Sequence, residues 1–376
     1  MRDSRPDWAT RLDALRRRWQ AQAAAAGFDA GRRVCIISSG INIAYLTGFQ
    51  GSAGLLIQSD DADTLLIDGR YTLGAAEART RGDIAPVSIE VVEAAYDAAL
   101  TRVLRRLDAG PVVFEPEHVS VMTLRRWQEA VPGDWLGQGD LVEPLRLVKD
   151  VSEIAIFRRA GTALVGVAAQ LRDWVSAGRT ERQVAADISS GLERAGFSKP
   201  AFDTIVAAGP NSALPHARPG DRRLSGGDLV VLDFGGVLDG YCVDLTRMAA
   251  VGRLGDQAAG IFRAVWKAQQ AALDAVRAGV AAGAVDAAAR QVLDSEGLAA
   301  AFVHGTGHGL GLEVHEAPRL SQVSGADDLL RSGMVCTIEP GAYVAGVGGA
   351  RLEDDVVVTA TGIELLTPGP RDLLAV

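Results

Sequence analysis

Four acidic residues stand where apolar runs predict buried strands. Asp233 closes the run Leu229-Val230-Val231-Leu232, and Asp244 lies eleven residues on, behind Tyr241-Cys242-Val243. Leu238-Asp239-Gly240 between them reads as a hairpin turn, which would aim both carboxylates into one site from adjacent strands. Glu339 closes Val335-Cys336-Thr337-Ile338, and Glu353 follows fourteen residues later in Arg351-Leu352-Glu353-Asp354. Four carboxylates gathered in a low-dielectric interior repel one another and are driven to protonate. Two divalent cations remove that conflict, because four negative charges then meet four positive ones.

Nitrogen for such a site is scarce. The chain has five histidines, and His216, His304, His308 and His315 lie in its second part, the last three within twelve positions. His308 sits among Gly305, Thr306, Gly307, Gly309 and Gly311. Glycines there would let the backbone pass close to something bulky or charged. Helix or strand packing, which glycine weakens, does not account for them. Four carboxylates and one imidazole suit Mn²⁺, Co²⁺ or Fe²⁺ better than a thiolate-seeking zinc site. Two such ions roughly 3.5–4 Å apart share and ionise a water near neutral pH, so the chemistry permitted is hydrolysis.

Each residue alone has a plainer reading. Asp233 would be a strand-end turn residue, Asp244 and Glu353 half-exposed strand positions, Glu339 part of a turn before Pro340-Gly341, and His308 a loop histidine. The five together are not explained that way.

The elements that must position these residues fall into two parts. The length of 376 residues suggests two domains, and 48% apolar with 23% charged residues is ordinary for a globular chain. That much apolar surface excludes a disordered chain. A net charge of −9 offers no basic excess for a nucleic-acid backbone. Residues 1–20 mix Arg2, Asp3, Arg5 and Asp7 with later charges and lack an apolar stretch, so no targeting signal is expected. No uncharged apolar run of about 18 residues occurs, so no membrane span is expected and the cytoplasm is the default. Cys35, Cys242 and Cys336 read as buried reduced thiols in a reducing compartment.

An amphipathic helix is expected over the first 30 residues, with Leu12, Leu15 and Trp19 on one face and Gly27 as its stop. Strands at 34–38, 54–58, 64–68, 88–92 and 112–115 then alternate with helices at 72–81, 94–107 and 120–131, the order of an α/β domain. Residues 132–150 turn glycine-rich and polar, which places a boundary between 1–147 and 148–376. Ser152 is a candidate N-cap for a long helix, and Thr180 to Gln183 reads as a capping box. Beyond Pro200 come strands at 202–207, 229–235 and 241–251, helices at 257–278 and 285–296, and a strand-and-loop tail from Val303. The fold class is α+β. Two paired β segments, each with two acidic residues, flank the central helices.

Taken together, Leu232-Asp233-Phe234-Gly235, Asp244-Leu245-Thr246-Arg247, His304-Gly305-Thr306-Gly307-His308-Gly309, Ile338-Glu339-Pro340-Gly341 and Arg351-Leu352-Glu353-Asp354 resemble the pita-bread metallopeptidases. The likeness is to the Xaa-Pro branch, aminopeptidase P and prolidase, and covers roughly residues 150–370. Tyr45-Leu46-Thr47-Gly48-Phe49 and Asp68-Gly69-Arg70-Tyr71 resemble the creatinase-type amino-terminal domain and lean toward aminopeptidase P.

The resemblance implies a C-terminal pita-bread (creatinase/aminopeptidase) fold behind a smaller N-terminal α/β creatinase-like domain. It implies two divalent ions, manganese first and cobalt, zinc or iron as alternatives, held by Asp233, Asp244, His308, Glu339 and Glu353. Asp244 and Glu353 would bridge them, and Glu339 would also act as general base. His216 matches a position that hydrogen-bonds substrate. His304 and His315 match outer histidines that bind substrate and shuttle protons or stabilise the tetrahedral intermediate. Arg351 matches an arginine that holds a ligand carboxylate.

The implied activity is hydrolysis of Xaa-Pro bonds at the N-terminus of peptides, by a cytoplasmic homodimer without nucleic-acid or membrane partners. Aminopeptidase P is the first reading and a prolidase restricted to dipeptides the second. A methionine aminopeptidase would lack the separate N-terminal domain. A creatinase-like hydrolase or a non-catalytic peptide-binding relative would lose the ligand set.

Overall fold

The structure is a computed structural model that describes residues 6–28 and 32–376. The chain divides into two compact units, Met1–Arg146 and Leu147–Val376.

The first unit opens with α1 (Trp8–Ala25), capped by the Asp7 carboxylate, which accepts from Thr10 N. Leu12, Leu15 and Trp19 are buried along one face, and Gly27 takes the left-handed conformation (φ 85°) just past the end. Residues 1–5 and 29–30 of the expected helix lie outside the described residues. There follow β1 (Val34–Ile37), α2 (Gly40–Thr47), β2 (Leu55–Ser59), β3 (Asp63–Asp68), α3 (Thr72–Arg81), β4 (Ser88–Val92), α4 (Tyr96–Arg106), β5 (Val112–Phe114), α5 (Val121–Ala130), β6 (Trp135–Gly137) and α6 (Glu143–Arg146). The sheet order is β4-β3-β2-β1-β5-β6. Three elements escape the sequence pattern, α2, β6 and the single-turn α6. The helix α2 is short, with five of its eight residues buried and none of them charged, so it has no charged face to mark a period, but Ser39 caps it and Gly48 (φ 76°) ends it. The strand β6 has three residues, too few to show alternation, and pairs parallel with β5 inside the stretch read as a glycine-rich, polar boundary.

The second unit begins with α7 (Val151–Ala168). Its N-cap is Asp150 rather than Ser152: the Asp150 carboxylate accepts from Ser152 N and Glu153 N, and Glu153 returns the bond. By length and composition Val151–Trp174 could cross a membrane. Here Phe157, Ala160, Leu164 and Val167 pack into the core, as in a core helix.

Next come α8 (Leu171–Trp174), α9 (Glu181–Arg194) with the Thr180–Gln183 capping box, β7 (Lys199–Pro200), β8 (Ile205–Ala208), β9 (Leu229–Leu238) and β10 (Tyr241–Ala250). The helices α10 (Asp256–Ala275) and α11 (Ala282–Ser295) follow. The chain ends with β11 (Gly307–Gly309), β12 (Glu316–Leu320), β13 (Val335–Ile338), β14 (Gly341–Val344), β15 (Gly348–Arg351), β16 (Asp354–Val358), β17 (Ile363–Leu365) and β18 (Leu374–Ala375). One sheet runs β18-β10-β9-β7 with β8 also on β9, a second runs β12-β11-β13-β16-β17, and β14 pairs with β15.

Alternate residues of β9 serve two apolar clusters. Val230, Leu232 and Phe234 pack with α7 and α9, while Leu229 and Val231 pack with α10 and α11. Both faces are covered, which explains an unbroken apolar run where a half-exposed strand would alternate. On β10, Val243 and Leu245 join the first cluster and Met248 the second. Asp233 extends the row of Leu229 and Val231, and Asp244 that of Met248, so both carboxylates share the α10/α11 face of the sheet.

Candidate metal centre

The β9–β10 hairpin turns on Asp239 (φ 50°) and Gly240 (φ 87°), the two positive φ values that a tight two-residue turn requires. That turn sets Thr246 opposite Asp233 and Asp244 opposite Gly235. Glu339 and Glu353 lie just past the end of β13 and just ahead of β16, which are paired with Ile338 opposite Asp354. His308 sits in the middle of β11, and its backbone N donates to Thr337 Oγ1 on β13 (3.0 Å).

The glycines around His308 have a different reason from the one the sequence suggested. A Cβ on Gly307 would collide with the Thr337 carbonyl oxygen, and one on Gly309 with the Ala317 carbonyl oxygen. Strand packing does demand them: β11 lies between β12 and β13, and its backbone is pressed against both neighbours.

Asp233, Asp244, His304, His308, His315, Glu339, Arg351, Glu353 and His216 all line one cavity of about 420 Å³. Ligating atoms of Asp244, His308 and Glu353 lie within 4.8 Å of one another. His308 Nε2 is 3.2 Å from Glu339 Oε1. Arg351 pairs with Asp233 Oδ2 and also donates to Thr246 Oγ1 (3.3 Å), Pro215 O (3.3 Å) and Tyr343 Oη (2.7 Å). Thr246 Oγ1 in turn donates to Glu353 Oε2 (2.6 Å). The rings of His308 and His315 meet edge to face at 4.3 Å. His216 and His315 are exposed on the cavity wall.

The electrostatics are those of an acid cluster short of positive charge. Burial, then repulsion from Glu353 and Asp233, pushes Asp244 well above the ordinary carboxylate range. Burial, then Glu339 and Asp233, does the same to Glu353. Asp233 is raised by burial even though Arg351 pulls it down. Glu339 goes the other way: burial would raise it, but the hydrogen bond and charge of His308, with His304 and Arg351 beyond, hold it at about 2. His308 is raised because Glu339 outweighs its burial. Burial lowers His304 and, with the His308 charge, His315.

Proton positions follow from the partners. Gly309 O, 3.1 Å from His308 Nδ1, can only accept, so Nδ1 carries a proton and Nε2 faces the carboxylates. Gly305 O likewise fixes the proton on His304 Nδ1 (2.8 Å), so His304 Nε2 accepts from the Tyr343 hydroxyl (2.9 Å). Such backing is what a metal-binding imidazole needs to point its lone pair. Asp233 Oδ1 and Glu353 Oε1 are buried without a hydrogen-bond partner. Buried carboxylate oxygens are expensive to leave unpaired. The donor set therefore fits cations: four carboxylates, two of them with an orphaned oxygen, and one oriented imidazole. Divalent ions there would be held by Asp233, Asp244, His308, Glu339 and Glu353.

Three residues around this cluster were not singled out from the sequence. Thr246 follows Asp244 by two on the same strand face, a spacing that points to it. Asp355, buried, accepts from Asp244 N (2.9 Å). Tyr343 joins His304 to Arg351 from β14, and nothing in its sequence context marks it.

Comparison with known proteins bears on what such a cavity does. Residues 155–360 match the family described as Metallopeptidase family M24, and residues 11–148 match the Creatinase/Prolidase N-terminal domain. A probable dipeptidase PepE of Mycobacterium bovis is 36% identical over 363 residues, covering 95% of each chain. The structure of an Xaa-Pro dipeptidase from Bacillus anthracis superposes with a TM-score of 0.92 at 30% identity, covering 98% of this chain and 100% of that one. An X-Pro aminopeptidase from Thermotoga maritima superposes at 0.85 with 32% identity, covering 92% and 98%.

Proposed function

This chain belongs to metallopeptidase family M24 and is a metallo-exopeptidase of the pita-bread fold; from that premise we propose that it is an Xaa-Pro dipeptidase. The observation that carries the proposal is the convergence of Asp233, Asp244, His308, Glu339 and Glu353 on one cavity, with three further histidines on its wall. The short motifs of the first unit leaned toward aminopeptidase P. Full-length likeness to an Xaa-Pro dipeptidase and a probable dipeptidase favours the narrower substrate.

The family depends on two metal ions. A divalent pair, when bound, supplies Lewis acidity and a water ionised near neutral pH. The donor set of oxygens with a single imidazole suits manganese. The remaining chemistry falls to this chain. An Xaa-Pro bond has no N–H, so a peptidase that grips that hydrogen gains nothing here. The proline nitrogen must gain a proton to leave. Glu339 is ionised and positioned to accept a proton, and His304, neutral at pH 7 by burial, lies across the cavity wall from it. His216 and His315, on the exposed wall, are placed to hold the substrate's ends.

The three free buried thiols suit a reducing cytoplasm. The homodimer follows from the family resemblance alone.

The test is an assay of the chelator-stripped protein reloaded with Mn²⁺, on Xaa-Pro dipeptides and Xaa-Pro-Yaa tripeptides. Dipeptides should be cleaved at least about tenfold more efficiently. Equal cleavage of tripeptides would move the reading to aminopeptidase P, and no metal-restored cleavage of either would end both.

A further inference from the structure

Helix α11 reaches the active-site cavity without lining it. Asp286, 1% exposed, and Arg290 one turn later form an ion pair (Nε to Oδ2, 2.6 Å) on the face turned toward residues 302–306. Each nitrogen of the Arg290 guanidinium has an acceptor. Beyond Asp286 it donates to Phe302 O (3.1 Å) and to His304 O, and its Cζ lies over the Phe302 ring, 4.1 Å from the centroid. Arg290 thus ties down the backbone on both sides of Val303. Phe302 in turn meets the His304 ring edge-on at 5.1 Å.

Asp286 does a matching job one step further along. Its Oδ1 accepts from both Thr306 N (3.0 Å) and Thr306 Oγ1 (2.9 Å). Thr306 O then accepts from Glu339 N (2.7 Å). One ion pair on one helix therefore holds the backbone of His304 directly and that of Glu339 through a single residue. Both ends lie on the wall of the same cavity, and neither Asp286 nor Arg290 does.

We propose that Asp286 and Arg290 are positioning residues that set the His304 ring against Tyr343 and the Glu339 carboxylate against His308. A planar fork is needed at Arg290, because it must serve two carbonyls and a carboxylate at once, which a lysine ammonium cannot do in that geometry. The proposal rests on the peptidase reading of the site, since it assigns the pair a role in turnover.

The experiment uses the full chain reloaded with Mn²⁺. Arg290→Ala and Arg290→Lys should each lower kcat about 10- to 100-fold, as loss of groups that hold reacting groups in place does. KM should stay within about threefold, and bound metal should equal wild type by elemental analysis. A cavity of about 260 Å³, lined by Arg290, Gln291 and Phe302, opens beside the guanidinium. Added guanidinium ion should therefore enter Arg290→Ala and restore kcat at least about fivefold, while leaving Arg290→Lys and wild type unchanged. Rescue is a signature that general loss of folding does not give. Asp286→Asn should lower kcat in the same way without rescue.

Unchanged kcat in Arg290→Ala would overturn the proposal. So would a loss of kcat that tracks loss of metal, or failure of guanidinium to restore Arg290→Ala, either of which makes the pair scaffold only. Wild-type protein inactive on every Xaa-Pro peptide would instead refute the peptidase reading on which this one stands.

Discussion

Arg351 and Asp233 form an ion pair between β15 and β9, two strands of different sheets, with side chains only 5% and 10% exposed. The pair brings a permanent cation into the carboxylate cluster, and it orients the acid whose second oxygen is left without a hydrogen bond. Replacing Arg351 with Met leaves Asp233 as a buried acid without its counter-charge. Breaking such a pair costs about 3–5 kcal/mol. The loss should be largest in the metal-free protein and smaller once Mn²⁺ is bound, because the ion supplies the missing charge. Denaturant unfolding with and without Mn²⁺ measures both. An equal loss in the two states would mean that Asp233 does not meet the metal.

Asp244 is crowded by the acids Glu353, Asp233, Asp355 and Glu339. With its folded-state pKa raised, its ionisation opposes folding. That cost is absent below the ordinary carboxylate value near 3.9 and grows as pH rises above it. Asp244→Asn removes the charge and keeps an oxygen for Leu245 N, which it now serves at 2.8 Å. The variant should have no peptidase activity, yet in chelator it should melt higher than wild type at pH 7. The gap should close as pH falls toward 4. A variant that melts lower than wild type at pH 7 in chelator would contradict the electrostatic account.

Gly307 is held by backbone, not by space for a ligand. Gly307→Ala should destabilise the chain by about 1–3 kcal/mol, the usual cost of forcing atoms into a packed interior. It should also weaken Mn²⁺ binding, since β11 must shift and carry His308 with it. Gly69, with open space around its missing side chain, is the control. Its change to alanine should stay within about 0.5 kcal/mol and leave Mn²⁺ binding alone. Calorimetry on both variants decides this.

Thr246 is the small residue through which Arg351 touches Glu353. Thr246→Val keeps the shape and removes the hydroxyl. Glu353 then loses its 2.6 Å donor, and the expected cost is about 1–3 kcal/mol, as for a buried acceptor left unmatched. Titration with Mn²⁺ should show weaker binding with unchanged stoichiometry. Unaltered affinity would mean that the hydroxyl only fills space.

Much of this was legible in the sequence because burial on both faces leaves a plain mark. Asp233 and Glu339 stand out since each ends a buried run, apolar throughout before Asp233 and broken only by Thr337 before Glu339, and the Asp-Gly turn fixes which face Asp244 shares. Most of the α/β order of the first unit was readable from the sequence, down to the bounds of Thr72–Arg81. What was not legible depends on chain segments far apart. Tyr343 and the Asp286–Arg290 pair gain their meaning only when β14 and α11 are brought to the His304 segment. The role of Gly307 was misread because a glycine says that something is near, not what it is. The capping of α7 went to Asp150 because a carboxylate serves two amides where the Ser152 hydroxyl would serve one.

The Asp239-Gly240 tip has a consequence that reaches well beyond it. Strand side chains alternate, so one residue gained or lost there would shift β10 against β9 by a single step. The slip would move Asp244 into the greasy layer beneath α7 and bring Val243 (for a gain) or Leu245 (for a loss) into its place among the carboxylates. An insertion at a solvent-washed bend would thus disarm the enzyme with every ligand still spelled out in its gene, and a check of those ligands alone would pass it as intact.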